Sequence, residues 1–189
     1  MKERLLEATV ECLAELGYAG TTTTEVVRRA GVSRGAQVHH FPTKTDLVVG
    51  ALDHILARRR QQFRAAFGAL APHERTLATA LDLLWSMYRS PTFAAWLELA
   101  VAFRTEPELQ RRVLEVNARF SQQSAAIFEE FFPVSPDPNF SRVAVEFAFA
   151  LLDGLATQHA VGIESDPDEV LGLLKTLATM FAPEVGGSR

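Results

Sequence analysis

A single cysteine, Cys12, stands in a chain of 189 residues, which excludes an internal disulfide framework and any zinc-finger spacing of cysteines. A reducing compartment is expected. Long apolar runs are also lacking. Phe93–Phe103 is too short to span a bilayer, and Val143–Ile163 is interrupted by Glu146, Asp153, Gln158 and His159. Met1–Leu16 carries Lys2, Glu3, Arg4, Glu7, Glu11 and Glu15 with no unbroken apolar core, so no signal peptide is read there and a cytoplasmic location is expected. No segment sustains the period-two alternation of a half-buried strand. An excess of positive charge is missing too: 19 Lys and Arg face 23 Asp and Glu, a net charge of −4, which argues against a nucleic-acid binder that works through uniform basicity. With 48% hydrophobic and 22% charged residues, the chain is too apolar to be disordered.

What is present is helical periodicity, and the expected class is all-α with about nine helices. A first helix is expected over about Lys2–Leu16, with Leu5, Thr9, Cys12, Leu13 and Leu16 on one face, stopped by Gly17 acting as a left-handed C-terminal residue. Thr22 and Glu25 have the capping-box spacing for a second helix ending at Ala30. Gly31-Val32-Ser33 breaks it, and Ser33 caps a third, Arg34 to about His40. Pro42 ends that one, and Thr43 caps a long fourth helix to about Phe67, with Gly68 and Pro72 at its end. Five more follow near His73–Ser90, Pro91–Arg104, Pro107–Phe131, Asn139–Val161 and Asp168–Phe181, each bounded by a proline or glycine breaker such as the run Pro133–Pro138. Residues 183–189 read as a frayed tail.

The average charge conceals an asymmetry. Over Thr22–Arg64, eight basic side chains face three acidic ones, whereas beyond residue 65 the balance is −7. The basic segment contains two short helices separated by three residues with a leading glycine, the spacing of a helix-turn-helix. Such a motif lays its second helix in the major groove while polar side chains at helix starts hold phosphates. On that geometry Gln37 could pair with an adenine edge, and Arg34 with a guanine or a phosphate. Thr23, Thr24, Ser33, His39, His40 and Lys44 would position the protein on the duplex.

Thr22–Leu47, with its Ala-Gly-Val-Ser turn, its His-Phe-Pro-Thr-Lys stretch and the downstream Leu47, closely resembles the DNA-binding motif of TetR-type transcriptional regulators. The match covers roughly the first 60 residues. Two positions of the recognition helix depart from the family pattern: Val38 stands where Tyr is usual, and Gln37 where Leu or another variable residue is common. The resemblance implies a DNA-binding domain over 1–47 and a helical ligand-binding and dimerisation domain over 48–182, connected by the helix 44–67. It further implies a homodimer on a pseudo-palindromic double-stranded DNA operator, most often as a repressor, released by a small ligand that shifts the spacing of the recognition helices.

Other chemistries find less support. Gly31-Val32-Ser33-Arg34-Gly35 fits the nucleophile-elbow pattern, but that elbow needs a preceding strand. Arg58-Arg59-Arg60 reads as a solvated helix face. His54, His73 and His159 share no ligand spacing with one another or with acids, and the adjacent His39 and His40 diverge on a helix, so neither a metal site nor a cofactor is expected. Cys12 reads as core. Of the aromatic residues in the middle of the chain, Trp85, Trp96, Phe103 and Phe120 are candidates to line an apolar ligand pocket, with His159 either a polar contact to the ligand or a satisfied core histidine. The effector would then be hydrophobic. The last two helices carry apolar stripes, Phe147, Leu151, Gly154, Leu155 and Gln158 on one and Val170, Leu173, Leu174, Leu177 and Phe181 on the other. Either stripe could be core, but so many apolar helices predict a four-helix dimer interface built from about 139–161 and 168–181. An all-α enzyme would need an acid–base pair in the pocket, and a helical interaction protein that ignores DNA would leave the pattern Thr22–Lys44 unexplained.

Overall fold

The computed structural model describes residues 1–90, 92–132, 139–164 and 166–181, with Phe181 described by its backbone alone. Among them lie nine α-helices and no strand: α1 (Lys2–Gly20), α2 (Thr23–Ala30), α3 (Arg34–His40), α4 (Lys44–Gly68), α5 (Leu77–Tyr88), α6 (Thr92–Ala102), α7 (Pro107–Phe131), α8 (Phe140–Ala160) and α9 (Pro167–Phe181). Pro91, the breaker run 133–138 and the tail 183–189 lie outside the described residues. The chain forms two compact units. One holds Met1–Arg59 with Ser90–Phe120; the other holds Arg60–Arg89 with the described residues from Ser121 onward. Helices α4 and α7 each contribute to both.

In the first unit, Leu5, Leu6, Ala8 and Cys12 of α1 meet Val26 and Ala30 of α2, Phe41 and Leu47. This is the apolar face expected for α1, except that Leu16 is exposed. The Thr9 hydroxyl satisfies itself inside the core by donating to the Leu5 carbonyl at 2.6 Å. Gly17 does take a positive φ of 69°, a conformation open to glycine because it lacks a Cβ. The helix kinks there and resumes for one more turn to Gly20. The resumed turn exposes a fresh backbone N–H, and a carboxylate from α6 accepts it: Tyr18 N donates to Glu98 Oε2 at 3.2 Å. Helix α6 packs along α1 and buries Phe93, Ala95 and Leu99. The first part of α7 follows with Leu109, Val113, Val116 and Phe120 buried at helical spacing. The compact units therefore cut the chain differently from a boundary at residue 47, because α6 and half of α7 pack with the N-terminal helices.

The second unit is built on phenylalanine. Phe67 is fully buried with Ala80 and Phe132, and Phe63, Phe128 and Phe131 pack against them. Phe63 stacks on Phe67 at 5.4 Å between ring centroids, and Phe131 meets Phe67 edge-on at 5.0 Å. Arg75 closes the end of α4, its guanidinium donating to the carbonyls of Leu70 (3.0 Å) and Gly68 (2.6 Å). That chain reversal delays α5, which begins at Leu77 under a Thr76 cap rather than near His73. Helix α5 packs on α8 and α9, with Leu152, Leu155, Ala156 and Leu171 buried. Lys175 of α9 pairs with Asp82 of α5.

Candidate nucleic-acid interface

Three side-chain caps build the helix-turn-helix. Thr22 Oγ1 accepts from Glu25 N at 3.2 Å, Ser33 Oγ from Ala36 N at 3.2 Å, and Thr43 Oγ1 from Asp46 N at 3.0 Å. Asp46 returns the favour by accepting from Thr43 N at 2.9 Å, completing a capping box. Gly31 turns the chain between α2 and α3 in the left-handed region, with φ 59° and ψ 41°. A helix precedes Ser33 and another follows it, so the elbow pattern has no strand to stand on, and Ser33 serves as a cap.

Glu25 does not reach back to its own cap. Its carboxylate takes a two-pronged grip from Arg28 (2.8 and 2.6 Å) and a third bond from Arg29 (2.8 Å), while Arg29 also reaches Glu15 at 2.6 Å. Hydrogen bonds from Arg28 first, and then from Arg29, push the Glu25 carboxyl from an ordinary 4.5 down to about 2. A carboxyl that binds protons less readily folded than unfolded stabilises the fold fully above its unfolded value and loses that contribution as pH falls through its folded one. Stability should therefore decline between about pH 4.5 and 2, and Glu25→Gln should flatten that limb of a urea-midpoint profile. Identical acid limbs in both proteins would refute the assignment.

These pairings thin out the positive charge of Thr22–Arg64. Arg28 and Arg29 are held by carboxylates, Arg58 lies 3.9 Å from Glu7, and Arg64 lies 3.0 Å from Glu130. Lys44 turns toward α1 rather than outward: its Nζ donates to the Tyr18 carbonyl at 2.7 Å and sits 4.0 Å above the Tyr18 ring. Burial there lowers its pKa. The Tyr18 hydroxyl in turn donates to Glu106 at 2.8 Å, and burial, with this hydrogen bond, pushes the phenol up to about 12. Arg34 is the exception. It is exposed at the first position of α3 and has no carboxylate partner among the described residues.

Of the remaining candidates, Thr24, Ser33, His39 and His40 are exposed and Thr23 is half-buried. The rings of His39 and His40 lie edge to face at 5.1 Å. Gln37 corrects the expectation from sequence. It is 2% exposed, its backbone carbonyl accepts from Phe41 N at 2.7 Å, and its side-chain amide donates to the Phe41 carbonyl. A side chain turned into the core offers nothing to a base edge. The signal was legible: a position where Leu is common is an inward one. Val38 beside it is 49% exposed, so the open face of α3 consists of Arg34, Gly35, Val38, His39 and His40. The arginine run is a second correction. Arg58 is exposed, but Arg59 is 8% exposed. Consecutive residues sweep about 100° each, so three in a row cannot all face water on a helix packed on more than one side.

Two profiles of known families fit this chain. Residues 5–51 match that of the bacterial regulatory proteins of the tetR family, and residues 72–182 match that of the BetI-type transcriptional repressor C-terminal domain. The chain belongs to the TetR family. It is 34% identical over 110 residues to the HTH-type transcriptional regulator CymR of Pseudomonas putida, an alignment spanning 58% of this chain and 54% of CymR. It is 31% identical over 164 residues to BetI of Burkholderia thailandensis, across 85% of this chain and 82% of that protein. In fold it resembles a TetR-family transcriptional regulator from a Rhodococcus species, with a TM-score of 0.77 at 20% identity over 97% of this chain and 100% of the other. This TetR-family protein is a DNA-binding transcriptional regulator. No helix among its described residues is long and apolar enough to cross a membrane.

The aromatic ligand candidates of the regulator fall in both compact units. Trp96, Phe103 and Phe120 belong to the first, Trp85 and His159 to the second. Trp85 and Phe120 are buried, Trp96 and Phe103 half-buried. His159 is exposed near the end of α8, which removes the core-histidine reading, because the last turn of α8 lies in water. Phe63, Phe67, Phe128, Phe131 and Phe132 assemble into a cluster in the second unit that was not expected from sequence. Its only advance signal was the four-residue spacings of 63 to 67 and 128 to 132.

Proposed function

We propose that this regulator binds a pseudo-palindromic operator as a homodimer, places α3 of each subunit in the major groove, and is released as a repressor when a small hydrophobic effector binds the C-terminal helices over 48–182. The observation that carries the DNA reading is the isolation of Arg34. Its guanidinium, with no carboxylate partner among the described residues, stands at the start of a short exposed helix, whereas Arg28 and Arg29 are held by Glu25. Arg34 would donate to guanine or phosphate, and Val38 would pack on a thymine methyl. Thr23, Thr24, Ser33, His39 and His40 would fix the register on phosphates, with Lys44 contributing the donors that Tyr18 leaves over. Trp96, Phe103 and Phe120 of the first unit remain the residues proposed to line the effector site. The pairs Asp46–Arg112 (2.7 Å) and Asp53–Arg119 (3.4 Å) tie α4 to α7 within the first unit, which supports α4 as the element through which an effector alters the DNA-binding helices.

Selection of bound fragments from random DNA tests the interface. The wild-type protein and Gln37→Leu should enrich the same palindrome, while Arg34→Ala should lose roughly ten- to a hundredfold in affinity, as expected for about 1–3 kcal/mol per base contact. A palindrome altered by Gln37→Leu, or one indifferent to Arg34→Ala, would overturn the assignment. Affinity should also fall steeply from about 50 to 200 mM salt.

A further inference from the structure

We infer that Glu3 and Glu7 of α1 and His54 of α4 form a binding site for a borderline divalent cation such as zinc. Spacing along the chain gave no hint of it, since the histidine lies far downstream of both acids. Folding of the first unit brings one ligand atom from each of the three side chains within 4.8 Å of the others. The two glutamates are one helical turn apart, so both project from the same side of α1. His54 faces them from a second helix. The site is thus built from two rigid elements, as a metal centre requires.

The second observation is the state of the imidazole. His54 Nε2 is shut off from solvent and has no hydrogen-bond partner among the described residues. Buried polar atoms are ordinarily satisfied, and a cation bonded through that nitrogen supplies the missing partner. One imidazole and two carboxylates are a donor set that zinc accepts at about 2.0–2.2 Å, with water completing the tetrahedron. Thiolate-seeking ions find no sulfur here, and the imidazole disfavours calcium and magnesium, which take oxygen ligands. Arg58 is the internal competitor, its guanidinium 3.9 Å from Glu7 in a loose, exposed pair. A bound ion would displace it and fasten the N-terminal turns of α1 to the middle of α4.

The test uses the tag-free full-length protein titrated with cobalt(II), whose visible absorption reports tetrahedral coordination, and with zinc in competition. One ion per chain is expected. His54→Gln and the double variant Glu3→Gln, Glu7→Gln should each weaken binding at least tenfold and abolish the tetrahedral band, with far-UV circular dichroism unchanged. Arg58→Ala should tighten binding by removing the competing cation. The inference is overturned if no ion binds at 100-micromolar cobalt, or if stoichiometry and spectrum survive in both ligand variants. The latter would place any bound ion elsewhere.

Discussion

Leu173→Glu is expected to convert a dimer into a monomer and to reduce operator affinity by at least a hundredfold. Two helices of the second unit carry large apolar side chains that are exposed among the described residues. On α9, Val170, Leu173, Leu177 and Met180 recur at helical spacing, with Leu173 62% and Met180 73% exposed. On α8, Val143 and Phe147 are exposed in the same way, and Ala150 and Gly154 further along are also open. Small residues in the middle of the α8 stripe would let a partner helix approach closely. The stripe proposed as the interface thus differs from the sequence expectation on α8, because Leu155 is buried and Leu151 half-buried against this chain's own core, whereas Phe147 and Gly154 stay outside. Apolar stripes of this kind are costly to leave in water, and a two-fold contact through both helices would bury them. A carboxylate placed at Leu173 would meet apolar surface without a partner. Loss of the dimer separates the two recognition helices, and the second half-site then gains nothing from the first. Light scattering at micromolar concentration and fragment binding on the selected operator would measure both effects. A monomeric wild type, or a Leu173→Glu dimer that binds DNA unimpaired, would defeat the proposal.

Phe67→Ala should destabilise the protein by ~3–5 kcal/mol, the cost of emptying a large aromatic site in a packed core. Phe67 is 0% exposed and its ring touches Phe63, Phe131 and Phe132, so the void cannot close by one neighbour's rotation. For a chain of this length the loss corresponds to a fall in Tm of ~6–20 °C. Leu114→Ala, at an exposed position of α7, is the matched control and should change stability by less than ~0.5 kcal/mol. Thermal unfolding of the two variants under one buffer decides the matter. Equal melting temperatures would mean that the phenylalanine cluster does not hold the second unit together.

The helices and their caps were legible because they are local. Thr22, Ser33 and Thr43 cap the helices expected of them, and Gly17 and Gly31 take positive φ where breakers were read. Each of these decisions is made by a side chain bonding to backbone within a few residues. The resemblance of Thr22–Leu47 to the TetR motif is legible for the same reason, since a helix-turn-helix is a short contiguous pattern. Inward and outward faces of a very short helix were less secure. On a seven-residue α3, polarity alone put Gln37 at the DNA, and only packing against Phe41 showed that its amide is satisfied internally.

What the sequence alone determined, then, is the all-α class, the caps, the turn and the family, together with the charge asymmetry that pointed to the N-terminal half. Tertiary structure decided which charges remain available. Lys44 is drawn to Tyr18, Arg28 and Arg29 to Glu25, and Arg34 is left exposed with no carboxylate partner among the described residues. It also decided that Glu98 would complete a kinked α1 and that Glu3, Glu7 and His54 would converge. The physical reason is distance along the chain. Helix formation and capping depend on neighbours a turn away, whereas ion pairs, burial and ligand clusters depend on which residues folding brings within a few ångströms, and no local pattern records that.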